Sequence, residues 1–213
     1  MRAKLSLAAL ALFCVAMLAG ALTYPGGSWL HPRSTGFSIV ENFWCDLMRR
    51  PAHNGAPNPF APWLGTLGFA AMGAALAPFW LEVSRLLPAR RAQFVRGAGV
   101  VSAVCTALVA LFPSDRFPHL HPPIVISAGT LGFACGVLTG GFALAQRRRF
   151  PVFAYASFAL LLAASANLVL YVRAVYFRAA ETLALPVAQK LATLGLLVWM
   201  VAGLRASASR PKP

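Results

Sequence analysis

Six apolar runs, each about 20 residues long, set the limits on what this chain can fold into. They are roughly Leu5–Thr23, Pro62–Val83, Phe94–Phe112, Pro122–Ala145, Val152–Val172 and Leu185–Leu204. A helix needs about 20 apolar residues to cross the hydrocarbon core of a bilayer, and inside it every backbone polar group must be satisfied within the protein. Each run is too long for an ordinary strand and carries little charge. The expectation is an all-α fold: a polytopic transmembrane helix bundle of six helices, with the whole chain forming one transmembrane domain. Composition agrees, since only 11% of residues are charged against about 25% in soluble domains.

Lysine and arginine give the runs a direction, because cytoplasmic loops retain an excess of them. With Arg2 and Lys4 inside, the next inside loops hold Arg85, Arg90, Arg91 and Arg96, then Arg147, Arg148 and Arg149. The tail adds Arg205, Arg210 and Lys212. The outer side keeps Arg33, Arg49, Arg50, Arg116, Arg173, Arg178 and Lys190. Both termini are therefore expected in the cytoplasm, and a bacterial inner membrane fits the short loops. The formal charge of +14 does not point to nucleic acid. The basic residues lie in short clusters between apolar runs, where anchoring beside anionic lipid headgroups explains them. Membrane lipids are the expected partners. The same topology sorts the acids and histidines. Glu41, Asp46, Asp115, Glu181 and all four histidines fall outside, and only Glu82 falls inside. Any chemistry is expected at the outer face.

The first run has Ala19–Gly20–Ala21, an acceptable cleavage site for a signal peptide. Its apolar stretch of about 18 residues exceeds the roughly 7–15 of a signal core, so a retained span is expected. Three of the four cysteines (Cys14, Cys105 and Cys135) lie in apolar runs and Cys45 in a polar loop, with no CxxC pair. That pattern suits small core residues rather than a disulfide framework.

One hexapeptide repeats. Gly65–Thr66–Leu67–Gly68–Phe69–Ala70 returns as Gly129–Thr130–Leu131–Gly132–Phe133–Ala134, with a weaker copy at Thr193–Leu194–Gly195. Chance in a chain rich in Ala, Leu and Gly is one explanation; an old duplication of a helix hairpin is the other. Gly132, Gly136 and Gly140 also form a stripe at four-residue spacing, expected to pack against a neighbouring helix.

The first outer loop, about Tyr24–Ala61, reads as more than a linker. Ser38–Ile39–Val40–Glu41 has the form of a capping box, predicting a short helix that ends near Arg50, before Pro51. Val40, Phe43, Trp44, Leu47 and Met48 would share an apolar face, with Asn42, Asp46 and Arg49 opposite. Such an amphipathic segment lies at the membrane interface, or aims Asn42 and Asp46 between the helices. His53, Asn54 and Asn58 follow in what reads as ordinary turn chemistry. The loop Phe112–Pro123 holds four prolines, Asp115, His119 and His121. Imidazole and carboxylate can bind zinc or exchange protons, but HxH alone fixes no third ligand, so no metal site is assigned. Asp115 could instead pair with Arg116 or Lys190. Ser165, Asn167 and Tyr171 on span five suit helix–helix hydrogen bonds. Gln189 and Lys190 open span six, where Lys190 can snorkel or meet a lipid phosphate.

Asn42–Phe43–Trp44–Cys45–Asp46–Leu47, Phe112–Pro113–Ser114–Asp115 followed by Leu120–His121, and Gln189 on the last span resemble a family of prokaryotic six-helix membrane proteins known as domain of unknown function, family nine-nine-eight. The likeness covers most of the chain. It implies a six-helix fold and marks Asn42, Asp46, Asp115, His121 and Gln189 as the positions that matter; it implies no activity and no cofactor. A weaker likeness is to membrane-embedded ceramidase-type hydrolases. The chain departs from them in having no His pair at three- or four-residue spacing in its late helices, the last histidine being His121.

The candidate ligand-binding residues are thus Asn42, Asp46, Asp115, His119, His121, Gln189 and Lys190. The expected function is binding of a lipid or amphiphile at an outer-facing polar site. The alternative is a membrane-embedded hydrolase or transferase acting on a lipid through Asp46, Asp115 and His121, with or without a metal. A transporter is disfavoured, because charge is scarce near the midplane, where coupling-ion sites lie.

Overall fold

The computed structural model describes residues 1–177 and 182–209. Arg178, Glu181, Arg210 and Lys212, assigned above to loops or tail, lie outside the described residues. Among those described there are six long helices: α1 (Arg2–Thr23), α2 (Ala61–Val83), α3 (Ala89–Val109), α4 (His121–Ala145), α5 (Pro151–Tyr176) and α6 (Ala184–Ala208). All six are long and apolar enough to cross a membrane, as a multi-pass membrane protein requires. The third differs most from the sequence expectation. It begins at Ala89 and stops at Val109, because Arg90, Arg91 and Arg96 tolerate helix at a polar end while the chain turns before Pro113.

The helices pair in sequence order, α1 on α2, α3 on α4 and α5 on α6, with α2–α3 and α4–α5 closing the intervals. Each hairpin is tied by one serine of its odd-numbered helix. Ser6 Oγ donates to Ala75 O at 2.8 Å, and Ser102 Oγ donates to Ala128 O at 2.7 Å. Ser157 Oγ accepts from Trp199 Nε1 at 2.8 Å. Lipid tails are as apolar as the helices, so close packing and such bonds hold the bundle, each bond contributing roughly 0.6 kcal/mol.

The repeated hexapeptide acquires a physical meaning here. Its second glycine faces the preceding helix in all three copies. A Cβ on Gly68 would meet Met17 of α1, one on Gly132 would meet Ser102 of α3, and one on Gly195 would meet Leu160 of α5. Sequence echo and hairpin packing thus coincide. The stripe on α4 splits between two neighbours. Gly132 faces Ser102, whereas Gly136 and Gly140 face Leu161 of α5, and Gly140 also meets Ser157.

Toward the end of the bundle that carries the termini, aromatic rings fill the centre. Phe79, Trp80, Phe153 and Trp199 pack with ring centroids 4.8–5.7 Å apart. At the opposite, distal end the first loop lies over the helices, tied to Gln189 of α6 and to Asp115.

The predicted helix from Ser38 to Arg50 is not formed as such. Residues Ser38–Asn42 make a turn closed by Asn42 N–H donating to Ser38 O at 3.0 Å, and only Trp44–Met48 is helical, as a 3₁₀ segment. Side chains explain the break. Asn42 Oδ1 takes the Ser38 N–H at 2.9 Å, and Asp46 Oδ2 takes the Phe43 N–H at 2.8 Å. Both compete with α-helical bonding, as short polar side chains do. The glutamate of the expected capping box turns away, toward Ser28 and His31. Leu47 and Met48 are buried against α2, so the segment packs into the bundle instead of lying flat at an interface.

Candidate functional site

Two adjoining cavities occupy the distal half of the bundle. The larger, of about 410 Å³, opens beneath the first loop between the distal ends of α4, α5 and α6. Trp29, Asp46, Arg49, His121, Tyr171 and Arg173 supply most of its polar lining. The smaller, of about 270 Å³, runs deeper and is walled by all five helices from α2 to α6. Met72, Trp80, Phe133, Leu160, Leu196 and Trp199 make it predominantly apolar. Cys45, Val125 and Gln189 line both, so the two spaces meet at the 3₁₀ segment.

Asp46 is the pivot of the loop. It is 3% exposed, and Asn42 is fully buried beside it. Asp46 Oδ2 accepts from Phe43 N–H and from Asn42 Nδ2 at 3.1 Å, and Oδ1 lies 3.1 Å from His53 Nε2. A carboxylate only accepts, so His53 Nε2 carries the proton. Asn42 Nδ2 also donates to Gly27 O at 2.8 Å. Gly27 has φ +82°, and a Cβ there would sit 2.3 Å from Asn54 N, so only glycine fits this crossing of the loop on itself. Asn58 Nδ2 completes the frame by donating to the carbonyls of Leu47 and Arg49 at 3.2 and 3.0 Å.

Helix α6 clamps this loop from the side. Gln189 Oε1 accepts from Trp44 N–H at 2.9 Å. Lys190 Nζ donates to Asn42 O and sits 4.6 Å from the centroid of the Trp44 ring, which stacks on Phe37. Lys190 thus neither snorkels nor faces the cavity; it fixes the loop. Cation–π contact and a buried carbonyl acceptor take the place of water around its ammonium. Cys45, at the junction of the cavities, is neutral, since burial pushes its thiol up to about 12.

The Pro-rich loop forms the other wall. His121 Nδ1 lies 2.8 Å from Phe112 O, so Nδ1 carries the proton and Nε2 is the ring nitrogen left without a partner among the described residues. Asp115 pairs with neither Arg116 nor Lys190. Its Oδ2 accepts the Arg50 N–H at 2.8 Å, strapping the two loops together, and its Oδ1 is buried without a partner among the described residues. His119 is exposed on the loop surface.

Of the seven residues singled out from sequence, Asp46, His121 and Gln189 line the larger cavity. Asn42 and Lys190 hold the loop that bounds it, Asp115 ties the loops, and His119 stands outside. Asp46 and His121 therefore share a space from which Asp115 is absent. Among the described residues no three His, Cys, Asp or Glu side chains converge as metal ligands. Sequence reasoning passed over His53, Arg49 and Arg173. His53 reads as turn chemistry in the sequence, Arg49 as part of a polar helix face beside Asn42 and Asp46, and Arg173 only as a topology signal. Their signal was a basic side chain at the end of a span or short helix, which topology alone already explains.

Comparison of the chain with family models, with curated proteins and with solved structures finds no match to any of them.

Proposed function

We propose that this multi-pass membrane protein binds a single amphiphile, its headgroup in the larger cavity and its tail in the smaller. The observation that carries this reading is the junction at Cys45, Val125 and Gln189, where a polar space adjoins an apolar one. Ligand sites of about 300–1,000 Å³ with a few placed polar groups are the usual form of small-molecule pockets. The larger cavity falls in that range, and the smaller extends it along the bundle axis as a tail would lie. The distal end would face outward and both termini the cytoplasm, supported by the excess of arginine at the terminal end. A bacterial inner membrane is the matching location, with membrane lipids as partners and no nucleic acid. Membership of the six-helix family nine-nine-eight is part of the same proposal. It is supported by the way Asn42, Asp46, Asp115, His121 and Gln189 gather in one layer around the loop.

The test uses the full chain in a non-ionic detergent and an amphiphile with a brominated tail. Trp80 and Trp199 line the smaller cavity, so saturable quenching of their fluorescence is expected. A Cβ on Gly129 would meet nothing within 4 Å, so Gly129→Phe fills the tail space without striking the backbone and should abolish the quenching. Quenching that never saturates, or that survives Gly129→Phe unchanged, sinks the proposal.

A further inference from the structure

The larger cavity also carries information about the headgroup, an inference that rests on the amphiphile reading above. We infer that it accepts an anionic headgroup, a phosphate or carboxylate, with Arg49 and Arg173 as its counter-charges. Arg49 enters the cavity wall from the loop and the exposed Arg173 from the distal end of α5, two elements far apart in the chain. Among the described residues the ion pairs are His31–Glu41, His53–Asp46 and Arg85–Glu82, and none involves either arginine. Among the described residues, Arg49 Nε is buried and has no hydrogen-bond partner. A guanidinium nitrogen held dry without a partner is unfavourable, and the planar fork of arginine matches the paired oxygens of phosphate or carboxylate.

Asp46 lines the same cavity but is not available to a cation on equal terms. Its oxygens already receive Asn42, Phe43 and His53, so its charge is offset from behind. Among the described lining residues, two guanidinium groups stand against one compensated carboxylate. Ser114 and His121, whose Nε2 has no partner among the described residues, line the same cavity. Both can exchange a hydrogen bond with a headgroup oxygen.

The experiment titrates the full chain in non-ionic detergent, by calorimetry, with dodecyl phosphate, dodecanoate, dodecanol, dodecyltrimethylammonium and inorganic phosphate. Dodecyl phosphate and dodecanoate are expected to bind about tenfold or more tighter than the alcohol or the ammonium, the size of a charge-assisted hydrogen bond. Arg49→Gln and Arg173→Gln should each remove about tenfold of that advantage and leave dodecanol unchanged. Gly129→Phe should weaken every tailed compound alike. Inorganic phosphate binding as tightly as dodecyl phosphate, and ignoring Gly129→Phe, would identify a free anion and overturn the lipid source. Equal affinity for phosphate, alcohol and ammonium in all variants overturns the anionic headgroup while leaving the amphiphile reading intact. If no tailed compound binds saturably, the amphiphile reading falls with it.

Discussion

A methyl group added at Gly73 and one added at Gly129 meet opposite surroundings. At Gly73, on the α2 face toward α3, the new Cβ would lie 2.7 Å from both Ala103 O and Ala107 Cβ, whereas at Gly129 it would find nothing within 4 Å. Both glycines belong to the same small-residue vocabulary of membrane helices. On the α1–α2–α3 side that vocabulary draws backbones together, and Gly99 repeats the pattern against Trp80. At Gly129 it lines a space, although Gly140 on the same helix packs against Ser157 of α5 and Gly195 of α6 packs against Leu160. No hydrophobic drive closes a gap between helices in lipid, so a cavity persists wherever rigid parts keep helices apart. Here the aromatic cluster of Phe79, Trp80, Phe153 and Trp199 does so from the terminal end, and the clamped loop does so from the distal end.

The largest expected effect falls on the loop. Asp46→Ala strips the partner from Asn42 Nδ2, Phe43 N–H and His53 Nε2 together, all buried or partly buried. Leaving such donors unsatisfied costs about 3 kcal/mol. The loss should appear as faster hydrogen exchange over residues 26–58 and in the cavity walls, with the α1–α2–α3 side still protected. Equal loss of protection on both sides would show that the two halves are one cooperative unit and break the comparison.

Smaller effects divide the halves directly. Gly73→Val overpacks the α2–α3 seam, where the obstacle is backbone, and should destabilise the protein by about 1–3 kcal/mol. Gly129→Ala enters open space and removes a flexible residue from a helix, so it should stabilise by up to about 1 kcal/mol. Thermal unfolding of the two variants in the same detergent checks both signs. A Gly129→Ala variant that unfolds earlier than the parent chain would mean the space beside it is filled.

Much of this contrast was legible beforehand and some was not. The spans were legible because a membrane demands one long apolar run per helix, and the hairpin pairing was foreshadowed by the echo that ends in Gly68, Gly132 and Gly195. The loop was legible only in its residues. Asn42 and Asp46 stood out, but the 3.6-residue pattern predicted a helix where their side chains instead capture Ser38 N–H and Phe43 N–H. The partners that make a site, Trp44 with Gln189 and Arg50 with Asp115, are 145 and 65 residues apart. Each uses a backbone N–H on one side, which every residue but proline possesses and no spacing reveals. His53 went unrecognised for the same reason, since its pairing with Asp46 depends on how the loop folds over Gly27.

The smallest effect concerns pH and the edge of the loop. Glu41 accepts from Ser28 Oγ at 2.6 Å and from His31 Nδ1 at 3.0 Å. The serine bond first, and the histidine bond second, hold its carboxyl below the ordinary value of 4.5. A depressed folded value means the contribution is fully present above the unfolded value and is lost as pH falls through the folded one. From neutral pH down past 4.5 the turn from Ser28 to His31 should therefore keep its protection, and release it only in more acid solution. Glu41 is half-buried but its His31 partner is exposed, so salt should weaken the effect. Hydrogen exchange of that turn across the acid range measures it, and Glu41→Gln should flatten the profile. Were the buried Asp46 network to loosen at the same pH as this turn, the loop would be a single titrating unit. The distinction between its exposed edge and the floor over the cavity would then be lost.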